Sequence, residues 1–373
     1  MNRSSMDIIN KDTQSLCNIC YEEVPARVIE ENGQVLLIKR CPKHGEFTGI
    51  IENNPDFYKW FIGLKPDDYS GFSSLQIPVT YKCNLNCEYC YSRRPEGKDL
   101  DMDEITDAVN FFHGENIELS GGEPTVREDL ESVIARIRGL GKKVTMMTNG
   151  VRISDIRYLR RLKSAGLNSV YLSFDSLRSE FYNIMVKAPS DGEKLLEQKK
   201  QSLINLGTEG IKTILSSTIY PGLNDKEISD LFIFSLNNKQ NICQLRLRNY
   251  VRIGADRSRD RHGYLLSDLF ELLSNRLNID KEVLKTTFLK GRMGRSVIFS
   301  IHAINNDEEI ASIAGEVNGD NNNTQTLTVK IVGWPTLDNI DLNEIKTPAA
   351  LYLPERRKSY KIFHGMILGE KYL

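Results

Sequence analysis

The chain has 373 residues, 40% of them hydrophobic, enough for one sizeable core and one or two smaller modules. Its 49 basic and 50 acidic residues nearly cancel, which excludes long-range electrostatic steering toward nucleic acid or an anionic membrane and points to a neutral or modest-sized substrate. The start, MNRSSMDIINKDTQSLC, has no apolar core of signal-peptide length, and no run of about 18 apolar residues occurs elsewhere, so a cytoplasmic, not membrane-spanning protein is expected.

Six of the seven cysteines lie in two tight groups and Cys243 stands alone, a pattern that suits metal ligation in a reducing compartment better than disulfides. The first group opens the chain. Cys17 and Cys20 form C-x2-C, and Cys41 and His44 form C-x2-H after a spacer of twenty residues. Within the spacer, Ala26 to Glu30 and Gln34 to Lys39 flank Asn32-Gly33, a signal for a tight hairpin. Three cysteines and a histidine around a hairpin make a zinc-ribbon-like site. A closed tetrahedral site of this kind is structural and ties down a segment too small to bury its own core; a mononuclear iron is the alternative to zinc.

From Leu75 to Gly254 short apolar runs alternate with amphipathic stretches, the signature of repeated βα units. The runs are LQIPVTY, NIELS, KVTMMT, SVYLSF, IKTILSSTIY and ICQLRLRNYV, which predict six strands. Between them, Leu130, Val133, Ile134, Ile137 and Leu140 recur at helical spacing, as do Ile156, Leu159 and Leu162 after a Ser154 cap. Gly141, Gly166 and Gly207 fit left-handed helix stops. After Gly254 come an Arg-rich loop, GADRSRDRHG, and a helix from about Tyr264 to Leu277. Ser296 to Ile304 and Thr326 to Val332 alternate as strands around the polar stretch GEVNGDNNNT. The expected domains are a zinc-ribbon-like module over 1–66, an α/β barrel over 67–280 and a small α+β domain over 281–373.

The second cysteine group, Tyr-Lys-Cys83-Asn-Leu-Asn-Cys87-Glu-Tyr-Cys90, ends the first of these strands. Three thiolates can hold a four-iron cluster and leave one iron without a protein ligand, open to chelation by an amine and a carboxylate. Zinc would need a fourth ligand, and no His or Cys follows at a suitable spacing. Thirty residues on, the second strand ends in Ser120-Gly121-Gly122-Glu123-Pro124. Its glycines allow close backbone approach to a ligand, and the Glu123 carboxylate can accept from an ammonium.

This pairing of C-x3-C-x2-C with GGEP resembles the radical S-adenosylmethionine (SAM) superfamily over residues 75–254. The resemblance implies a partial (β/α)6 TIM-like barrel, a 4Fe-4S cluster on Cys83, Cys87 and Cys90, Tyr89 as the aromatic residue of the cluster loop, and Gly121 to Pro124 at the SAM methionine amine. It also implies cofactor contacts from Thr148 and Asn149 on the third strand, Ser173 and Asp175 on the fourth, and Arg246 on the sixth. The implied reaction is reductive cleavage of SAM to methionine and a 5'-deoxyadenosyl radical that abstracts hydrogen from an unactivated carbon, with a flavodoxin or ferredoxin-type reductant supplying the electron. The ribbon with RCPKHG, followed directly by the barrel, is similar to the subgroup of archaeal tetraether lipid synthase and pterin-modifying methyltransferase-like proteins. Larger members carry extra cysteines for auxiliary clusters; none stands here between Asp67 and Leu75 or after Cys243.

The expected substrate is therefore a small organic or lipid-like molecule, with a peptide-modifying maturase and a noncatalytic cluster protein as alternatives. Cys243 is expected to be a small buried residue before a strand. His113, His262, His302 and His364 have no partner at ligand spacing. Arg252 to His262 and the tail strands near His302 and Trp334 are expected to line or cap the substrate entrance.

Overall fold

The computed structural model describes residues 9–20, 22–64, 74–90, 99–186, 191–250, 263–287, 296–306, 309–314, 324–333, 349–353, 358–363 and 366–368. The amino-terminal strands β1 (Lys11–Leu16), β2 (Glu23–Glu31), β3 (Gln34–Cys41) and β4 (Gly45–Glu52) form an antiparallel sheet in that order. Asn32 and Gly33 both take positive φ, 50° and 76°, the geometry of a two-residue turn that matches strand twist, so the expected hairpin is there. The outer strands β1 and β4 extend it. Helix α1 (Pro55–Gly63) is capped by the Asn54 side chain and closes a small core of Val28, Val35, Leu37, Ile51 and Tyr58.

All six expected barrel strands are present: β5 (Ser74–Thr80), β6 (Asn116–Gly121), β7 (Lys143–Thr148), β8 (Leu167–Ser173), β9 (Lys212–Ile219) and β10 (Ile242–Asn249), parallel and in sequence order. Helices α2 (Met102–Phe111), α3 (Leu130–Gly139), α4 (Ile156–Ala165), α5 (Ser179–Met185), α6 (Gly192–Thr208) and α7 (Ile228–Asn237) run between them. Alternate strand residues such as Leu75, Ile77, Leu119, Met146, Leu172, Leu215 and Leu247 join the helices in one apolar core. Two caps differ from expectation. Asp155, not Ser154, accepts from the first turn of α4, because Ser154 ends a short 3-10 turn and donates back to Val151. Gly207 lies inside α6, where a side chain would meet Asn241 at 2.1 Å, and Gly210 takes the positive φ instead. Gly166 does cap α4 in the left-handed region.

After α8 (Leu266–Leu277) and α9 (Lys281–Thr286), the chain forms β11 (Ser296–Asn306), β12 (Glu309–Ala314), β13 (Thr324–Val332), β14 (Ala349–Leu353), β15 (Lys358–Phe363) and β16 (Met366–Leu368). These strands continue the barrel sheet: β13 pairs parallel to β10, and β14 pairs parallel to β5. The strand order runs β12-β11-β13-β10-β9-β8-β7-β6-β5-β14-β15-β16 and does not close on itself, so the barrel is partial. No helix among the described residues is long and apolar enough to cross a membrane.

The ribbon docks on α8. Asn53 and Asn54 donate to Asp268 and Glu271, and the fully buried Glu52 accepts from the Ser267 N–H at 2.9 Å. The Leu265 side chain at the head of α8 has no oxygen to offer, so a carboxylate from the ribbon satisfies one of its free N–H groups. Phe57 and Trp60 of α1 pack on Phe270 of α8, with ring centroids 5.1 and 5.6 Å apart.

Candidate active site and metal centre

The cluster loop follows β5 and is fixed from several sides. Thr80 donates to Asp99 at 2.8 Å, Gly122 N–H to Thr80 O at 2.7 Å and Glu123 N–H to Lys82 O at 2.8 Å. The last two contacts need the glycines. A Cβ on Gly121 would stand 2.0 Å from Thr80 O, and one on Gly122 would stand 2.2 Å from Lys82 O. Gly121 also has φ 122°, outside the range of ordinary residues. Close approach is thus required as expected, but the partner is the cluster loop's own backbone.

Farther along, Glu88 N–H donates to Met185 O at 2.9 Å, and Asn84 accepts from the Asn149 side chain at 2.8 Å. Burial pushes the Cys83 thiol up to about 11, with the Glu123 carboxylate and Cys90 adding to it. Burial and Cys90 likewise push Cys87 up to about 12. Thiols raised in this way ionise only against a cation, and Cys83, Cys87 and Cys90 together fit an iron-sulfur cluster.

Glu123 is 1% exposed, and its carboxylate is occupied by protein donors. Oε1 accepts from Thr125 N–H at 3.1 Å and from the Thr125 and Thr148 hydroxyls at 2.6 Å each, while Oε2 accepts from Asn149 N–H at 2.7 Å. Glu123 therefore joins the end of β6 to the end of β7, and Pro124 starts the 3-10 turn that it caps. One lone pair remains on Oε2 for any further donor.

Asp175, also 1% exposed, accepts from the Tyr89 hydroxyl at 2.7 Å and from Thr218 N–H at 2.7 Å. It is neither a helix cap nor a surface group. It ties the cluster loop to β9, and burial, with Asp175 beside it, holds the Tyr89 phenol well above its usual range. Ser173 contributes its carbonyl, which accepts from Lys199 Nζ at 2.7 Å; the Asn149 carbonyl accepts from the same ammonium at 2.9 Å. Arg246 lies apart, with its guanidinium 5.5 Å from the Tyr171 ring centre.

Sequence reasoning missed Lys199. It is 2% exposed, burial lowers its pKa, and the charges of Asp175, Cys87, Glu123 and Cys83 hold it up. Its signal was positional: Lys199 stands on the buried stripe of α6 with Leu195, Leu196, Ser202, Leu203 and Leu206. A lysine in that register must end at a set of acceptors.

The barrel-facing side chains form the second feature of the site. Between the helix-facing apolar residues stand Gln76, Glu118, Thr145, Met147, Ser169, Tyr171, Ile214, Ser216, Gln244, Arg246, Arg248 and Lys330, most of them polar or charged. Thr145 and Ser169 share a hydrogen bond at 2.7 Å, and Arg248 donates to Thr218 at 2.9 Å. Burial raises the Glu118 pKa against the opposing charges of Arg246 and Lys330. Cys243, expected buried, is an exposed residue within β10 that donates to Thr213 O at 3.2 Å. Arg252 to His262, Trp334 and the His302 side chain lie outside the described residues; the His302 backbone pairs with Thr326.

At the ribbon, one ligand atom each from Cys17, Cys20, Cys41 and His44 lies within 4.8 Å of all the others. The His44 Nδ1 is 3.5 Å from both Cys17 and Cys41 sulfurs, and Cys20 and Cys41 sulfurs are 3.9 Å apart. A zinc ion with bonds of about 2.3 Å to sulfur spaces its tetrahedral sulfurs about 3.8 Å apart, so the group fits zinc. Burial opposes ionisation of Cys17, but the Cys20 and Ile19 N–H groups and the neighbouring thiols overcome it and bring it down to about 6.

Comparison with known proteins agrees with this geometry. Residues 77–234 match the model of the radical SAM superfamily, and residues 9–53 match that of the HMPTM N-terminal zinc ribbon domain. The 7,8-dihydro-6-hydroxymethylpterin dimethyltransferase of Methanocaldococcus jannaschii is 32% identical over 263 residues, 62% of this chain and 51% of that protein. The GTP 3',8-cyclase of Tolumonas auensis is 33% identical over 210 residues, 54% of this chain and 60% of that one. The structure of Streptococcus suis SuiB bound to S-adenosylmethionine overlays with a TM-score of 0.45 at 16% identity, covering 70% of this chain and 69% of that one. The chain thus spans about half to three-fifths of the length of these curated relatives. It carries a radical SAM domain, whose chemistry uses a 4Fe-4S cluster and SAM, behind a zinc ribbon.

Proposed function

We propose that this chain, a radical SAM domain behind a zinc ribbon, is an enzyme that cleaves SAM reductively and acts on a small polar organic molecule held in the barrel lumen. Cys83, Cys87 and Cys90 hold the cluster, and Tyr89, Gly121 to Pro124, Thr148, Asn149, Ser173 and Asp175 shape the SAM pocket around it. When bound, the reduced cluster supplies the electron that splits SAM into methionine and a 5'-deoxyadenosyl radical able to take hydrogen from an unactivated carbon; a flavodoxin or ferredoxin-type protein is the expected donor.

The chain's own residues do the positioning. Glu123 and Asp175 fix the ends of β6 to β7 and of the cluster loop to β9, while Lys199 gathers the carbonyls that end β7 and β8. The surrounding strands keep water away from the reacting atoms. The observation that carries this reading is the convergence of the three-cysteine loop and the GGEP turn through the hydrogen bonds from Gly122 and Glu123 N–H to Thr80 and Lys82. The polar lumen favours a pterin-like or nucleotide-like substrate over a lipid.

Anaerobic incubation of reconstituted protein with SAM and dithionite tests it. Methionine and 5'-deoxyadenosine should form, and replacing Cys83, Cys87 and Cys90 with Ala should abolish both while leaving the ribbon metal. Cleavage that persists in the triple variant overturns the assignment.

A further inference from the structure

Two buried polar atoms at the mouth of the lumen have no hydrogen-bond partner among the described residues: the Tyr220 hydroxyl and Arg248 Nε. Tyr220 is 1% exposed, and its ring packs between Tyr89 of the cluster loop, 5.3 Å away, and Tyr250, 4.7 Å away. Arg248 is steadied by its bond to Thr218, the residue whose N–H is held by Asp175. Both groups thus stand on the β9 and β10 side of the mouth, beside the cluster loop.

Unsatisfied buried donors are rare, because each costs its lost hydration. Arg248 can only donate, and the Tyr220 phenol, kept protonated by burial, donates readily. Further cations lie beyond them, although the Asp175 carboxylate also acts on Tyr220. Arg246 lies one layer below Arg248 on β10, and Lys330 is its register partner on β13. The one acidic side chain in the described lumen, Glu118, is on β6 across the barrel. Glu123 and Asp175 are committed to protein donors on neighbouring strands and on the cluster loop. A guanidinium beside a protonated phenol, each with a buried donor to spare, matches an oxyanion.

We infer that Arg248 and Tyr220 form an anion subsite for the substrate, which therefore carries a carboxylate or phosphate group that docks on the β10 and β13 wall. Glu118 on the opposite wall then faces the substrate's far end and suits an N–H-bearing edge. This inference rests on the lumen being the substrate site, and it is separable from SAM cleavage.

The test is calorimetric titration of the reconstituted, SAM-loaded protein with inorganic phosphate and with acetate at fixed ionic strength, with SAM affinity measured in parallel. Wild type should bind at least one of the two ions, and Arg248→Met should weaken that binding tenfold or more. Tyr220→Phe, which removes one oxygen and keeps the packing, should weaken it several-fold and guards against a folding artefact. SAM affinity is read in the same variants, so that a loss of anion binding is told apart from a loss of SAM. Anion affinity that is equal in all three proteins, or absent from wild type, overturns the subsite. A loss of SAM affinity in Arg248→Met with no phosphate or acetate binding assigns the donors to the SAM carboxylate and also overturns it. Loss of SAM cleavage alone in the wild-type protein counts against the enzyme reading and leaves the anion titration to stand on its own.

Discussion

The Tyr89 hydroxyl donates to Asp175 Oδ2 at 2.7 Å, and this one contact joins the cluster loop to the fourth barrel strand across 86 residues of sequence. Asp175→Ala would leave the Tyr89 hydroxyl and the Thr218 N–H buried and unpaired. The expected loss is about 2–6 kcal/mol, from two stranded donors at about 1–3 kcal/mol each. Thermal unfolding of the apoprotein should show it as a clear drop in Tm, with reduced iron content after reconstitution. A variant with wild-type Tm would mean that the contact does not brace the loop.

Glu123→Ala should do more than weaken SAM binding. The substitution removes the acceptor for Thr125, Thr148 and Asn149 at once. Cluster occupancy and Tm should fall together, whereas Glu123→Gln, which keeps one carbonyl acceptor, should lie between the alanine variant and wild type. Iron and sulfide analysis beside a melting curve checks this. A cluster-replete, fully stable alanine variant with weak SAM binding would assign the carboxylate to the cofactor alone.

Lys199 places a fixed cation near Cys87 and Cys83. A positive charge stabilises the more negative, reduced cluster, so Lys199→Met should shift the midpoint potential downward. At an effective dielectric near 20 and a separation of about 10 Å, the interaction is on the order of 1–2 kcal/mol, or roughly 40–90 mV for one electron. Lys199→Arg should retain most of the potential. Redox titration followed by electron paramagnetic resonance separates this electrostatic effect from simple loss of packing.

Glu118 gives a pH test. Burial holds its folded pKa above the usual carboxylate range, so folding favours the protonated form. That contribution is fully present below the unfolded pKa and is lost as pH rises through the folded one. Glu118→Gln, which keeps the shape and cannot ionise, should therefore gain Tm relative to wild type as pH rises from about 4.5 toward neutrality. A difference that is flat with pH, or that shrinks upward, would show that Arg246 and Lys330 compensate the carboxylate fully.

The six barrel strands were legible because each is a short apolar run between helical stretches, with one face covered by helices. The ribbon was legible because its ligands keep fixed spacings around a turn that Asn-Gly suits. Harder to read was whatever depends on distant neighbours. Gly207 looks like a helix stop in its own segment, and only the approach of Asn241 explains it. Likewise, Gln76, Glu118, Tyr171 and Arg246 sit inside runs that read as apolar, and nothing local says that they face one another across a lumen. The pairing of β13 with β10 and of β14 with β5 joins segments more than 80 residues apart.

The docking of Glu52 on Ser267 also sets an order of events during synthesis. The ribbon leaves the ribosome first, but its buried carboxylate meets its partner only after another 215 residues. At about 5–20 residues per second, that wait is roughly 10–40 s. Throughout it the four strands have only their small core and their metal to hold them. A metal bound at Cys17, Cys20, Cys41 and His44 would hold the ribbon through that wait, before α8 exists to receive Glu52.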